Sequence, residues 1–78
     1  MTGDLELTVE RLRQLPDARL APHEEAFYAL LGQLTQRPVP RLAPRAWGDQ
    51  LWLIGREAGG FDEQLRGFRR SLDISPLG

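Results

Sequence analysis

A continuous run of four apolar residues, Leu-Trp-Leu-Ile at positions 51–54, decides between the folds open to this chain. Periodicity alone does not assign such a run, because a buried strand and a buried helix would both cover it. If the run is a strand, Gly48 and Asp49 form the two-residue loop of a hairpin, and the chain has an α+β fold with a short hairpin at about 41–57. Pro44 then lies within the first arm and confines that arm to a sheet edge.

Local signals favour a helix over the same stretch. Pro44 suits the first position of a helix, and Gly59 suits the left-handed residue that ends one. The interior glycines Gly48 and Gly55 cost about 1 kcal/mol each relative to alanine, and burial of a large aromatic side chain offsets this at about 1.5–3 kcal/mol. The apolar residues follow one helical stripe, formed by Trp47, Leu51, Ile54 and Ala58. We therefore predict a helix at 47–58.

Two further helices are predicted in the first half of the chain. The clearer one covers residues 22–36, with Pro22 at its first position. Its apolar side consists of Ala26, Phe27, Leu30, Leu31 and Leu34. The other covers residues 9–15 and is capped by the side chain of Thr8. We prefer a helix for this element, although residues 5–9 also alternate as in a strand.

The last predicted helix starts near Asp62, which suits an N-cap. Its apolar edge consists of Phe61, Leu65, Phe68 and Leu72. Prolines fix the backbone of residues 37–43, which form a semi-rigid connector, and residues 73–78 are predicted to be a frayed tail. The sequence therefore predicts an all-α fold, a small orthogonal bundle of three to four short helices in a single domain over residues 1–78.

The composition removes several kinds of chemistry. The chain has no cysteine and no lysine, which excludes disulfides, thiolate metal sites, cysteine nucleophiles and lysine Schiff bases. Its single histidine, His23, has no second histidine four residues on, so it does not form a helical zinc pair. No nucleophile has a base at a suitable spacing. We therefore predict a protein that is not an enzyme and uses no metal or other cofactor.

The N-terminal residues also bear on where the protein acts. Residues 1–10 carry acids where a secretory signal has basic residues, and no apolar stretch approaches the roughly 18 residues of a membrane span. The expected location is the cytoplasm, with no membrane association. The formal net charge of −1 provides little attraction to nucleic acid.

Residues 51–72 combine inward apolar positions with small residues at a helix crossing and a turn, namely Ile54, Gly55, Ala58, Gly59, Leu65 and Phe68. This pattern resembles a helix-turn-helix DNA-binding unit. The resemblance implies that the helix near 62–72 enters the major groove, where its arginines contact phosphates or bases; these are Arg66, Arg69 and Arg70. Asp62 and Glu63 depart from the family, because they place negative charge at the helix end that meets the bases. DNA binding is therefore the alternative hypothesis.

The leading hypothesis is a helical protein-interaction module that binds a protein partner, most simply a second copy in a symmetric homodimer. A domain of 78 residues buries only about 60% of its unfolded surface, so its stability alone is expected to be marginal. Without disulfides or a metal, small domains commonly gain stability by association. A helical run at 51–54 is apolar all round and should be covered on every side. The predicted interface residues are Trp47, Leu51 and Trp52, because tryptophan dominates interface energetics.

Overall fold

The computed structural model describes residues 3–73, which form helices, short turns and one long connector. The helices are α1 (Asp4–Gln14), the single turn α2 (Asp17–Leu20), α3 (Glu24–Thr35), α4 (Trp47–Gly55) and α5 (Asp62–Asp73). The described residues contain no strand. The predicted small all-α bundle is therefore confirmed, and the alternative hairpin at about 41–57 is wrong. Most of the predicted frayed tail, residues 74–78, lies outside the described residues.

Helix α1 begins earlier than predicted. It starts at Asp4, so Thr8 lies in the middle of the helix and does not cap it. The hydroxyl of Thr8 is buried and donates a hydrogen bond to the backbone oxygen of Asp4, at 2.7 Å. Asp4 and Glu6 lie in the first turn, where the helix dipole favours negative charge. These acids stabilise a helix that starts more than one turn before Val9, and they explain why both the Thr8 cap and the strand-like interpretation are wrong.

Helix α3 confirms the second predicted helix over most of its length. The residues before it, Ala21–His23, form a 3-10 turn that contains the proline. It ends where Gln36 adopts a left-handed conformation with φ of 56°. Ala26, which was predicted on the apolar side, is exposed. The buried residues of α3 are Phe27, Tyr28, Leu30, Leu31 and Leu34, of which Tyr28 was not predicted.

Helix α4 confirms that the two-tryptophan stretch is helical, with shorter bounds than predicted. Pro44 lies in a 3-10 turn, Pro44–Ala46, and the helix ends at Gly55 and not at Ala58. The left-handed residue of the following turn is Gly60, with φ of 82°, and not Gly59. Both positions are glycine, so composition gave no means of choosing between them.

Both glycines of α4 face α1. A Cβ atom at Gly55 would lie 2.5 Å from Cδ1 of Leu5. A Cβ atom at Gly48 would lie 3.1 Å from Cγ of Arg13 and 3.5 Å from the backbone oxygen of Val9. The absence of side chains at these two positions lets the helices approach closely. Helix α1 also packs against α5, so it is the helix on which both later helices rest.

Aromatic side chains from three helices meet in the core. Phe27 of α3 stacks on Trp47 of α4, with ring centroids 4.4 Å apart and planes 12° apart. Phe68 of α5 lies 5.7 Å from Phe27, measured between ring centroids. Both Phe27 and Trp47 are fully buried. The remaining buried apolar residues are Val9, Leu12, Leu20, Tyr28, Leu30, Leu31, Leu34, Leu51, Leu65 and Leu72.

A partly buried hydrogen-bond network holds the proline-rich connector against α3 and α4. The hydroxyl of Tyr28 accepts a hydrogen bond from the backbone N–H of Leu42 at 2.7 Å and donates to Oε1 of Gln50 at 2.9 Å. The Nε2 of Gln50 donates to the backbone oxygen of Pro40 at 2.8 Å. The indole of Trp47 donates to the backbone oxygen of Leu42 at 3.2 Å. The connector therefore has a fixed position without regular secondary structure.

Arg41 adds a second attachment of the connector, to the start of α3. Its guanidinium donates to Glu24 at 2.8 Å and to Glu25 at 2.9 Å. The Arg41 carbon Cζ also lies 5.1 Å from the centre of the Tyr28 ring. Hydrogen bonding and charge attraction from Arg41 lower the pKa of Glu25 below its ordinary value of 4.5, and the carboxylates raise the pKa of Arg41.

Candidate interaction surface

The outward side of α4 carries two large apolar residues that the rest of the described chain, residues 3–73, leaves exposed. The side chain of Leu53 is 61% exposed and that of Trp52 is 36% exposed. The described residues of a single copy therefore do not cover the run 51–54 on every side. Helices α1 and α3 pack on only part of the circumference of α4. We call the surface formed by Trp52 and Leu53 the α4 face.

The structure separates the three predicted interface residues. Trp47 and Leu51 are fully buried in the core, whereas Trp52 lies on the α4 face. Leu53 was not among the predicted residues, although the helical period gives a signal for it. At about 100° per residue, Leu53 lies about 200° from Leu51, so burial of Leu51 turns Leu53 away from the core.

One edge of the α4 face is a groove against α1. Trp52 forms its apolar wall, and Glu6, Glu10 and Arg13 of α1 contribute charged groups along it. Arg13 is paired with Asp49 of α4 at 2.8 Å. Glu6 and Glu10 have no ion-pair partner among residues 3–73. This edge, which we call the α1 edge, therefore presents uncompensated negative charge beside an exposed indole.

The opposite edge of the α4 face is a groove against the end of α3. Leu53 and Leu34 contribute apolar surface there, and Arg37, Arg56 and Glu57 contribute charge. Neither arginine forms an ion pair within the described part of the chain. This edge, which we call the α3 edge, carries two cations against one anion. The α4 face is thus an apolar strip with charged residues of both signs at its margins, as in many protein interfaces.

Two of the three arginines implied by the helix-turn-helix resemblance are engaged inside the molecule. Arg69 donates from Nη2 to Oδ1 of Asp4 at 3.2 Å and from Nη1 to Oγ1 of Thr8 at 3.3 Å. Arg66 lies 3.3 Å from Oδ2 of the same Asp4. Arg70 is exposed. A DNA phosphate would therefore have to compete with the Asp4 carboxylate for Arg66 and Arg69.

The relation between α4 and α5 also differs from what the resemblance implies. In a helix-turn-helix unit the two helices pack directly on each other across a short turn. Here α4 and α5 both pack on α1, and direct contact between them is slight. DNA binding by this segment stays a prediction, and its arginines offer one fully available side chain, Arg70.

His23, the single histidine, is half-buried at the start of α3. Within residues 3–73, no three histidine or carboxylate side chains are grouped so that they would hold a metal ion. In the same part of the chain, no helix combines the length and the apolar character that crossing a bilayer requires.

The sequence matches no known protein family, and no curated protein or solved structure is similar to it.

Proposed function

We propose that this protein is a small helical interaction module, without catalytic activity of its own, that forms a homodimer through the α4 face. The observation that carries the proposal is the joint exposure of Trp52 and Leu53 on one side of a well-packed helix. Exposed apolar residues scattered singly are normal on protein surfaces, whereas neighbouring ones rimmed by charge are typical of binding sites. Tryptophan and arginine are also the residues that contribute most to interface energetics, and both occur here.

The size of the domain supports the same proposal. With 78 residues and no cysteine, the chain has a limited core and no covalent cross-link. A second copy that covers the α4 face removes apolar surface from water in both chains, and the resulting stabilisation of the folded state increases with the logarithm of the protein concentration. Because the same face is used twice, a two-fold axis closes the assembly at a dimer.

The test compares truncation of Leu53 with truncation of an exposed leucine elsewhere. Full burial of a leucine contributes about 1.5–3 kcal/mol, and 61% of Leu53 is available for burial by the partner. Over the two copies, Leu53→Ala is therefore expected to weaken the dimer by about 2–3.5 kcal/mol, or about 30- to 300-fold in Kd. Sedimentation equilibrium over a range of concentrations measures this directly.

Leu7→Ala is the matched control, because Leu7 is 40% exposed in a different groove of α1, beside Arg11 and Arg69. We expect this variant to dimerise like the natural sequence. Wild-type protein that stays monomeric up to high micromolar concentration would overturn the proposal. Equal weakening by Leu53→Ala and Leu7→Ala would also overturn it, because the effect would then not belong to the α4 face.

The DNA-binding alternative predicts a different set of results. Affinity for duplex DNA would fall steeply with added salt, and Arg70→Glu would weaken it without touching the ion pairs of Asp4. The interaction module predicts no measurable DNA affinity in either protein at moderate salt. A gel shift with both proteins separates the two hypotheses.

A further inference from the structure

The two edges of the α4 face differ in net charge. Glu6 and Glu10 lie on the α1 edge and Arg37 lies on the α3 edge. Arg56 lines the α3 edge and also the end of the groove near Glu6. Glu57 also lines the α3 edge, and none of these five residues has an ion-pair partner within residues 3–73. The α1 edge is therefore negative, and the α3 edge has an excess of one positive charge.

The positions of these charges along α4 are set by the direction of α1. Leu5 lies beside Gly55 at the end of α4, and Val9 lies beside Gly48 near its start, so the two helices run antiparallel. Glu6 is consequently level with the C-terminal end of α4. Arg56 directly follows that end. Glu6 and Arg56 therefore lie at the same end of α4, whereas Glu10, which follows Val9, lies nearer its start.

A two-fold axis pairs such edges in one of two ways. If the axis runs parallel to α4, the two α4 helices are parallel, and the α1 edge of each copy meets the α3 edge of the other. If the axis lies across α4, the helices are antiparallel, and each edge meets its own counterpart. The first arrangement brings Glu6 and Glu10 towards Arg37 and Arg56 twice in the dimer. The second brings like charges together, which is destabilising.

We infer that two copies of this chain pair with their α4 helices parallel, so that the α1 edge of each copy, with Glu6 and Glu10, faces the α3 edge of the other, with Arg37 and Arg56. This inference rests on the proposed homodimer and adds its arrangement. The apolar strip supplies association, and the charged edges select one orientation. The ligand of the α4 face is therefore another α4 face, related by an axis along the helix.

Removal of the negative charges of the α1 edge distinguishes the two arrangements, because it weakens association of the parallel dimer and strengthens association of the antiparallel one. In the parallel dimer, the variant with Glu6→Gln and Glu10→Gln loses four attractions between copies, and we expect about tenfold weaker self-association at low ionic strength. In the antiparallel dimer the same variant loses repulsion and associates more tightly. Addition of salt is expected to reduce the difference from wild type. Sedimentation equilibrium gives both constants.

A charge exchange gives an independent readout. We expect Glu6→Arg with Glu10→Arg to weaken the dimer strongly, and addition of Arg37→Glu with Arg56→Glu in the same chain to restore it. Unchanged dichroism and melting of dilute monomer verify folding. A dimer that forms in wild type but is unchanged or tightened by the glutamine variant, or is not restored by the exchange, overturns the parallel arrangement. Absence of any wild-type dimer overturns the proposed function itself.

Discussion

The hydroxyl of Tyr28 makes two of the hydrogen bonds in the network that holds the connector, and its removal has a calculable cost. The Tyr28→Phe variant keeps the ring against Phe27 and Trp47 but deprives Gln50 Oε1 of its donor and the Leu42 N–H of its acceptor. Loss of the partner of a buried polar group costs about 1–3 kcal/mol. Gln50 is 9% exposed, whereas the Leu42 N–H is only partly buried, so we expect a total of about 2–3 kcal/mol.

That cost is large for a domain of this size. At about 0.05–0.15 kcal/mol per residue, the 78 residues provide roughly 4–12 kcal/mol in total. We therefore expect Tyr28→Phe to lower Tm by about 10–20 °C. Urea unfolding followed by far-ultraviolet dichroism measures the free energy of unfolding without relying on the fluorescence of Trp52.

A double-mutant cycle with Gln50→Met tests the cause. Because this second substitution removes the acceptor that Tyr28 would leave without a partner, the double variant is expected to lose about 1 kcal/mol less than the sum of the single losses. Strictly additive losses, or a loss below about 0.5 kcal/mol for Tyr28→Phe alone, would refute the reasoning.

Further predictions concern the turn, the pH dependence and the core. Gly60→Ala is expected to lower stability by about 1–2 kcal/mol in urea unfolding, because φ is 82° there, whereas Gly59→Ala is expected to cause no loss. Glu25→Gln is expected to lower Tm at neutral pH. The pKa of Glu25 is lowered in the folded state, so its stabilising contribution is present above 4.5 and disappears as the pH falls through the lowered value. The difference in Tm between wild type and variant should therefore vanish in strong acid, and a constant difference at all pH values would contradict this. Phe27→Ala removes the stacking partner of Trp47 and is expected to cost about 3–5 kcal/mol, with loss of helical dichroism if the domain is only marginally stable.

The longer helices of this chain were predictable because their signals are local. The stripe Phe27 to Leu34 repeats at three and four residues, and Pro22 and Pro44 mark where helical turns begin. The single turn α2 was missed, since four residues are too few for a periodic pattern. The ends of helices were less predictable than their centres, as the start of α1 illustrates.

The roles of individual side chains depended on contacts between distant parts of the chain. Trp47 and Trp52 are equally apolar in the sequence, and only the docking of α1 and α3 decides that the first is buried and the second is exposed. The same holds for Arg69, which binds Asp4 from 65 residues away. No local pattern carries such information. The sequence therefore predicted the helix that carries the candidate surface and named Trp52, but it did not name Leu53.

The central place of α1 has a consequence for how the chain is synthesised. Helix α1 precedes its packing partners, α4 and α5, by most of the length of the described chain. During translation its apolar side, with Leu5, Val9 and Leu12, emerges long before anything is available to cover it. Assembly of the native core therefore has to wait until α5 has left the ribosome. A nascent chain interrupted before that point exposes the apolar side of α1 to solvent.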